Sequence, residues 1–378
     1  MYFIGGSQFT YKMLTRSSMS SKTVFLFHNF AAQAKHVPPS SYFPERPLRF
    51  AGIQDVLDST GLWEKCINRH VESGFTRDQL VRAYGEKEIT AWETAVCDAA
   101  RRNESIMDKR CGDIYWSEHS LDAVKTAAGA AVEAVEAVLR ASAVHDSLKH
   151  AFVAVRPPGH HCFNLPAGFC IANNVVLAAQ RALCAGKRVA IIDWDYHFGD
   201  GTAEAFLNDD RVMFCSLHCA YDRTGHATYP DHHLKGDSLC KRTEGRMFNI
   251  QWQRDDADNC AYAYAFECAI LPALRRFAPD IILVSAGYDA IAGDSLAGME
   301  LTPQAFFELT LGLKSLGVPV VCVLEGGYDP ILLGNGVAKT IEALLSDKPS
   351  TLDALASIAS ESHKAVVDDV AAALKLSD

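Results

Sequence analysis

Residues 188–201 read RVAIIDWDYHFGDG, and this stretch decides the fold. Its first half is a short apolar run of the length of a buried strand. Its second half carries Asp193, Asp195 and His197 at alternate positions, and an extended segment with that spacing directs the three side chains to one side of the chain. The stretch therefore predicts a buried strand that delivers two carboxylates and an imidazole at its carboxyl end.

Other apolar runs of the chain repeat this pattern and alternate with helical segments, of which 120–141 is the clearest. They are rich in Val and Ile and lack the polar alternation of a half-exposed sheet, which is typical of parallel strands covered on both faces. The predicted strands are 24–27, 151–155, 188–193, 212–217, 247–252, 281–286 and 319–324. We therefore expect an α/β fold, a single domain with a mainly parallel sheet flanked by helices.

Composition excludes several classes of protein. The chain has 378 residues, of which 49% are hydrophobic and 22% charged, an ordinary globular balance. The net charge of −10 argues against direct nucleic-acid binding, and no apolar run is long enough to cross a membrane. The 12 cysteines show no paired CxxC spacing, so we expect reduced thiols rather than a Cys-rich zinc module.

The two ends of the chain differ from its middle. Residues 1–44 contain no Asp or Glu, and we expect 1–23 to be a basic, disordered leader, with a mitochondrial presequence as the alternative. Residues 24–346 are then the catalytic domain, and 347–378 a C-terminal helix or tail.

Reactive side chains follow the predicted strands one by one, at the edge of a parallel sheet where ligands bind. Asp195, His197 and Asp289 are suitable ligands for a divalent metal with one position left open, as in a catalytic zinc site. The alternative is that the carboxylates of Asp193 and Asp195 only cap helices or bind backbone amides.

Two further motifs point to acid–base chemistry at the same edge. His160 and His161 follow Pro-Pro-Gly, and paired imidazoles beside a metal suit general base and general acid roles, with Asp193 and Asp200 as candidate carboxylate partners. Tyr328 follows two glycines, where its phenol could donate a hydrogen bond to a developing oxyanion.

Together these motifs resemble the zinc-dependent histone deacetylases, and more closely their class II branch. The matching stretches are PERPLR at 44–49, RPPGHH at 156–161, GFCIANNV at 168–175, DWDYHFGDG at 193–201, SLH at 216–218, SAGYDAIAGD at 285–294 and LEGGY at 324–328. The resemblance implies an arginase/deacetylase fold with an eight-stranded sheet. It also implies hydrolysis of acetyl-lysine by metal-activated water, with the His pair as acid and base and Tyr328 as oxyanion donor.

The resemblance also assigns residues around the metal. Gly168, Phe169, Leu296 and Gly327 are implied to contact the substrate, and either Tyr221 or Tyr229 should form the second aromatic wall of the tunnel. One or two structural potassium ions are implied as well. The inner potassium site matches Asp193, Asp195, His197, Ser216 and Leu217, and the outer one matches Phe206, Asp209 and Val212.

Three features depart from the family pattern. Phe198 stands where most members have a second His, and Asn29 stands near where many members carry an acid after the first strand. The segment 84–92 lacks the usual His-containing motif, so the acid at the rim cannot be placed, and His119 and Ser120 lie where rim contacts are expected. The long connection between Leu217 and Gly245 is expected to form part of the rim, but its His226, His232, His233 and Cys240 have no spacing typical of a metal site.

Alternative functions can be weighed on single positions. An arginase-like second metal would need carboxylates where Gly199 and Ile291 stand, and polyamine-specific members carry an acid where Leu296 stands. We therefore expect a deacetylase of protein or peptide acetyl-lysine, with an acetylpolyamine or longer-acyl-lysine amidohydrolase as the alternative. A weakly active acyl-lysine reader or corepressor scaffold is the rival of another class. The expected partners are acetylated proteins, with a corepressor-type complex as a further expectation, in the nucleus or cytoplasm.

Overall fold

A computed structural model describes residues 23–71, 74–144, 149–222, 224–230 and 242–376. Within those residues, eight strands form one sheet in the order β2-β1-β5-β10-β9-β6-β7-β8, and every neighbouring pair is parallel. The strands are β1 (Val24–His28), β2 (Ile67–His70), β5 (His150–Ala154), β6 (Val189–Asp193), β7 (Val212–Cys219), β8 (Met247–Trp252), β9 (Ile281–Ala286) and β10 (Val320–Leu324). The prediction of an eight-stranded α/β domain is confirmed.

Helices cover both faces of the sheet, and the predicted helix 120–141 is observed at Ser120–Val144. The helices of the described part are α1 (Phe30–Gln33), α2 (Leu48–Thr60), α3 (Leu62–Lys65), α4 (Arg77–Tyr84), α5 (Glu86–Arg102), α6 (Ser120–Val144), α7 (Asn174–Cys184), α8 (Asp200–Phe206), α9 (Asn259–Ala265), α10 (Leu271–Phe277), α11 (Pro303–Lys314), α12 (Pro330–Leu345), α13 (Leu352–Ala356) and α14 (Glu361–Ala373). One apolar cluster lies on each face of the sheet, with Leu26 and Phe152 on one side and Phe27 and Val153 on the other. The alternation of neighbouring strand residues between the two faces explains the near-continuous apolar runs.

Two elements differ from the pattern of the sequence. The edge strand β2 reads INRH and was not predicted, because only one of its residues is buried. The single helix predicted over 260–276 is divided into α9, a π-helical turn at Phe266–Ile270, and α10. Pro272 lies at the start of α10, where its missing N–H interrupts the helical hydrogen bonds.

A two-stranded antiparallel sheet, β3 (Ile106–Met107) with β4 (Tyr115–Trp116), lies outside the main sheet.

Near the C-terminus, the phenol of Tyr264 donates to Asp368 in α14 (2.8 Å), and Arg276 donates to the carbonyl of Leu374 (2.7 Å). These contacts dock α14 against the helices α9 and α10. The leader through Lys22 and the loop residues His232, His233 and Cys240 lie outside the described residues. Among the helices of the described ranges, none combines the length and apolarity that a membrane span requires.

His150 makes the stability of the sheet dependent on pH. It is buried at the start of β5, where its Nδ1 accepts a hydrogen bond from the amide of Val320 (3.2 Å). Burial, with a smaller contribution from the positive charge of Lys314, lowers the pKa of His150 to about 3. The unfolded chain therefore binds more protons than the native one once the pH falls below the ordinary histidine pKa.

We expect the free energy of unfolding to decrease as the pH is lowered from about 6.5, with His150 contributing up to about 1.4 kcal/mol per pH unit. Urea unfolding at about pH 7, 6 and 5 measures this slope. His150→Asn keeps an acceptor near Val320 and should reduce the slope relative to the unmodified chain. Equal slopes in the two proteins would contradict the assignment.

Candidate active site

Asp195, His197 and Asp289 converge at the carboxyl ends of the adjacent strands β6 and β9. The Nδ1 of His197 lies 3.2 Å from an oxygen of Asp195 and 3.2 Å from an oxygen of Asp289. One candidate ligand atom from each residue can be chosen so that all lie within 4.8 Å of one another. The three predicted ligands are therefore brought together in a geometry that one metal ion could share.

Backbone amides hold the two carboxylates in place. Asp195 accepts from the amide of Gly326 (2.9 Å) and Asp289 from the amide of Tyr196 (2.9 Å). A side chain at Gly326 would collide with both carboxylates, so this close approach needs glycine. Asp195 thus binds a backbone amide, as the alternative for Asp193 and Asp195 proposed, but Asp195 and Asp289 each also present an oxygen to His197.

The site carries an excess of buried negative charge. Asp193, Asp195, Asp289 and Glu325 are all fully buried, and the side chains that hydrogen-bond to them are imidazoles and the hydroxyl of Ser285. Burial raises the pKa of Asp193 and of Asp289, and it raises the pKa of Glu325 to about 7. Carboxylate and imidazole donors with uncompensated negative charge fit a divalent cation such as zinc.

The histidine pair is oriented by carboxylates on both sides. His160 Nδ1 lies 3.0 Å from Asp193, and His161 Nδ1 lies 2.7 Å from Asp200. Glu325 fixes the preceding turn by accepting from the amides of Gly159 (2.6 Å) and His160 (3.2 Å). Both predicted carboxylate partners are therefore observed, whereas the role of Glu325 was not read from the sequence.

The two imidazoles differ in their charge environment. Burial opposes protonation of His160, but the negative charges of Asp195 and Asp193 outweigh burial and raise its pKa. Burial and the neighbouring His160 lower the pKa of His161 to about 4. Of the two rings, that of His161 lines the cavity described next, which places a neutral imidazole in reach of a substrate.

A cavity of about 350 Å³ opens onto His161, His197 and Tyr328. Phe169 meets Tyr328 edge to face on one side, with ring centroids 5.7 Å apart, and Tyr229 meets His161 edge to face on the other, at 4.8 Å. Tyr229 therefore forms the second aromatic wall. Tyr221 pairs with Ala227 in an isolated bridge and is not among the lining residues.

Of the four predicted substrate contacts, Gly168, Phe169 and Leu296 line the cavity, and Gly327 does not. A side chain at Gly168 would collide with the ring of His161, so glycine is required there for close approach. Gly327 adopts a φ of 110°, and its carbonyl accepts from Arg49 Nε (2.6 Å). Gly327 thus shapes the turn before Tyr328 rather than the cavity wall.

Two acids at the cavity were not identified from the sequence. Asp113, just before β4, lines the cavity and accepts from the amide of Gly168 (3.1 Å), and Asp222 lies in the loop after β7. His119 and Ser120, where rim contacts were expected, do not line it. Asp113 precedes a strand of only two residues, so no periodic signal marks it.

The family model of the histone deacetylase domain matches residues 43–344, most of the chain. The chain belongs to the histone deacetylase family. Histone deacetylase 6 of Caenorhabditis elegans is 33% identical over 80% of this chain and 32% of that protein. Polyamine deacetylase HDAC10 of Danio rerio is 32% identical over 82% of this chain and 46% of that protein. The chain therefore spans about a third to a half of the length of these relatives.

A solved structure supports the family fold. The crystal structure of the HDA15 HD domain superposes with a TM-score of 0.78 at 27% identity, covering 94% of each chain. The arginase/deacetylase architecture and the class II-like resemblance expected from the motifs are thereby confirmed.

The inner potassium site implied for this histone deacetylase chain fits the observed surroundings. Asp193, Asp195, Ser216 and Leu217 are fully buried, and Ser216 Oγ lies 2.9 Å from His218 Nδ1. Oxygen donors beside buried carboxylates suit a hard cation. Phe198 packs behind this region with its ring centroid 4.8 Å from that of His218 and 6.5 Å from that of Phe214, as an apolar side chain rather than a ligand.

The outer potassium site does not fit. The carbonyls of Asp209 and Val212 accept hydrogen bonds from the guanidinium of Arg246 at 2.7 Å and 3.0 Å. The carbonyl of Phe206 accepts from the amide of Asp209 (3.1 Å). A fixed positive charge thus already bonds two of the three oxygens that the resemblance assigned to a second potassium ion.

Proposed function

We propose that this chain hydrolyses the acetamide of acetyl-lysine in proteins or peptides, with zinc held by Asp195, His197 and Asp289. The observation that carries the proposal is the convergence of these three ligands with His161 and Tyr328 at one cavity. Zinc bound there would polarise the acyl carbonyl and lower the pKa of a water molecule.

The protein's own residues supply the remaining chemistry. With the Nδ1 proton of His161 donated to Asp200, the Nε2 of His161 is left to accept a proton at the cavity. The phenol of Tyr328 donates to the oxyanion that develops at the acyl carbonyl. The histidine pair then gives the proton taken from water to the departing lysine nitrogen as the C–N bond breaks, and the products leave as acetate and the lysine ammonium ion.

Asp113 and Leu296 support a peptide substrate, whereas Asp222 at the same cavity offers a charge that an amine of a polyamine would also bind. Asp113 lines the cavity, and we propose that it accepts a hydrogen bond from a backbone N–H beside the acyl-lysine. Leu296, which is 46% exposed at the mouth, offers no charge to attract the second amine of a polyamine. The polyamine deacetylase among the relatives makes that substrate the alternative to be tested.

A substrate panel tests the proposal. An acetyl-lysine peptide, acetylspermidine and longer-acyl lysine peptides are assayed with the same preparation, with and without a hydroxamate chelator. We expect the acetyl-lysine peptide to be the best substrate and the hydroxamate to abolish its turnover. Faster cleavage of acetylspermidine would transfer the assignment to polyamines. Binding of the peptide without turnover would favour an acyl-lysine reader.

We further propose a single structural potassium ion, at the inner site, with the Arg246 guanidinium serving as the cation of the outer site. Arg246→Met should cost about 1.5–3 kcal/mol of stability, the usual contribution of charge-assisted hydrogen bonds. KCl, but not LiCl at equal ionic strength, should restore part of this loss in thermal unfolding.

The matched control for this test is Arg211→Met. Arg211 bonds the side chain of Asp209 (2.9 Å) rather than the carbonyls, so this variant should show the same potassium response as the unmodified chain. A rubidium ion bound at the Phe206, Asp209 and Val212 carbonyls of a soaked crystal would overturn the proposal.

The sequence-based expectations about cellular context remain predictions. They comprise the domain bounds 24–346 and 347–378, a corepressor-type complex, the absence of nucleic-acid and membrane contacts, and a location in the nucleus or cytoplasm.

A further inference from the structure

Asp294 binds four backbone amides with one carboxylate. One oxygen accepts from the amides of Leu296 (3.0 Å) and Ala297 (3.3 Å) in its own loop. The other accepts from the amides of Tyr328 (2.7 Å) and Asp329 (3.1 Å). The carboxylate thereby joins the loop after β9 to the segment between β10 and α12.

The local pair of bonds is sufficient to shape the loop. An aspartate that accepts from amides two and three residues onward forms a common turn, and this needs only one of its oxygens. The second oxygen bonds residues that are 34 and 35 positions away. A purely local role leaves these long-range bonds unexplained.

The long-range bonds act on the backbone that carries the phenol of Tyr328. On the other side of this segment, Gly326 donates to Asp195 (2.9 Å), and Arg49 Nε donates to the carbonyl of Gly327. The guanidinium of Arg49 also lies over the ring of Tyr328, 5.3 Å from its centroid. The segment is thus held at Gly326 and Gly327 by residues of the core, while its amide at Tyr328 is held by Asp294.

No basic side chain pairs with Asp294 in the described ranges. Its negative charge is stabilised by hydrogen bonds from N–H groups. Two of these N–H groups directly precede α12, and the N-terminus of a helix favours an anion. Without this carboxylate, the amide of Tyr328 loses its acceptor, and the turn can relax. A displacement of about 1 Å at a reacting group can cost a factor of about 100 in rate.

We propose that Asp294 is a positioning residue that sets the phenol of Tyr328 against the substrate carbonyl and couples it to Leu296 at the cavity mouth. The inference rests on the proposed deacetylase function, because it assigns to Tyr328 the role of oxyanion donor. Asp294 itself touches no reacting atom.

The experiment measures kcat and KM for Asp294→Ala and Asp294→Asn on an acetyl-lysine peptide, with the zinc content of each protein. Asp294→Ala should lower kcat by about 10-fold to 100-fold with KM changed much less, since a misplaced donor weakens the transition state. Asp294→Asn retains one acceptor oxygen and should fall between the alanine variant and the unmodified chain. Zinc content should be the same in all three.

A double-variant cycle distinguishes a loss of kcat that acts through Tyr328 from a loss caused by general disruption of the structure. If Asp294 acts through the hydroxyl of Tyr328, then adding Asp294→Ala to Tyr328→Phe should lower kcat only slightly further. A trifluoroacetyl-lysine peptide, whose carbonyl is more electrophilic, keeps the slow variants measurable. Asp258→Ala is the control, because Asp258 also accepts from two amides, those of Cys260 and Ala261, but at the start of α9; it should lose stability and keep kcat.

Three results would overturn the inference: a kcat of Asp294→Ala close to that of the unmodified chain, losses that multiply in the double variant, or equal losses in Asp258→Ala. If the alanine variant does not fold, the same criteria apply to Asp294→Asn. An inactive unmodified chain would remove the proposed function and this inference with it, whereas an active chain with unaffected Asp294 variants would remove the inference alone.

Discussion

Asp289→Asn is expected to lose its zinc and to lower kcat/KM for an acetyl-lysine peptide by about 10³-fold or more. An amide is a weaker metal ligand than a carboxylate, and a metal supplies several kcal/mol of transition-state stabilisation, each 1.36 kcal/mol being about tenfold in rate. Metal analysis of the purified protein and steady-state kinetics measure the two effects together. Zinc content and kcat/KM should fall in parallel, because the same three ligands bind the ion and position it for catalysis.

The fold should survive this substitution. Burial, together with the negative charge of Asp195, raises the pKa of Asp289, so the ionised form of Asp289 costs stability when no metal is bound. Removing one charge should therefore leave the metal-free protein at least as stable in thermal unfolding. Asp280→Asn is the matched control, since Asp280 precedes the same strand β9 at its opposite end and bonds the amide of Arg188 (2.8 Å). Full zinc content in Asp289→Asn would contradict the assigned ligand set.

The sequence predicted the sheet well because its strands are buried on both faces. β5, β6, β9 and β10 are apolar at nearly every position, and the observed bounds differ from the predicted ones by one residue at most. β2 was not predicted because it is an edge strand whose Asn68 and His70 are exposed and whose Arg69 is only partly buried. Burial on one side only, in a segment of four residues, leaves no pattern to detect.

The residues at strand ends were equally predictable, because a parallel sheet gathers the carboxyl ends of its strands at one edge. Asp195, His197 and Asp289 follow from that rule and from their residue types. Asp113 and Asp294 do not, because they act on backbone amides that are 55 and 34 residues away in sequence. Such contacts depend on how loops fold back on each other, and nothing in the local sequence records them.

The residues at the rim of the cavity were also not predictable from the local sequence alone. The choice between Tyr221 and Tyr229 depends on the bridge between Tyr221 and Ala227, which turns the loop so that Tyr229 faces His161. The outer potassium site depends on Arg246, a side chain just before β8 that reaches the carbonyls after α8. A motif comparison identifies the carbonyls, but it does not show what already bonds them.

Tyr328→Phe should lower kcat by about 10²–10³-fold while leaving zinc content and fold unchanged. The phenol lines the cavity beside His197 and is held through Asp294 and Arg49, so its hydroxyl is in place before the oxyanion forms. A donor that is already oriented stabilises the transition state more than the ground state, so the loss should appear in kcat with little change in KM. Steady-state kinetics on an acetyl-lysine peptide measure the changes in kcat and KM separately.

Tyr288→Phe distinguishes this role from the loss of any buried phenol. Tyr288 is fully buried, and its hydroxyl lies 2.8 Å from Thr340 rather than at the cavity, so its removal costs about 1 kcal/mol of stability and leaves kcat unchanged. Tyr328→Phe should lower the turnover of a trifluoroacetyl-lysine peptide less than that of an acetyl-lysine peptide. The electron-withdrawing fluorines stabilise the oxyanion, which then depends less on a hydrogen-bond donor. Equal losses on the two substrates, or near-normal turnover of the acetyl peptide, would mean that Tyr328 is not the oxyanion donor.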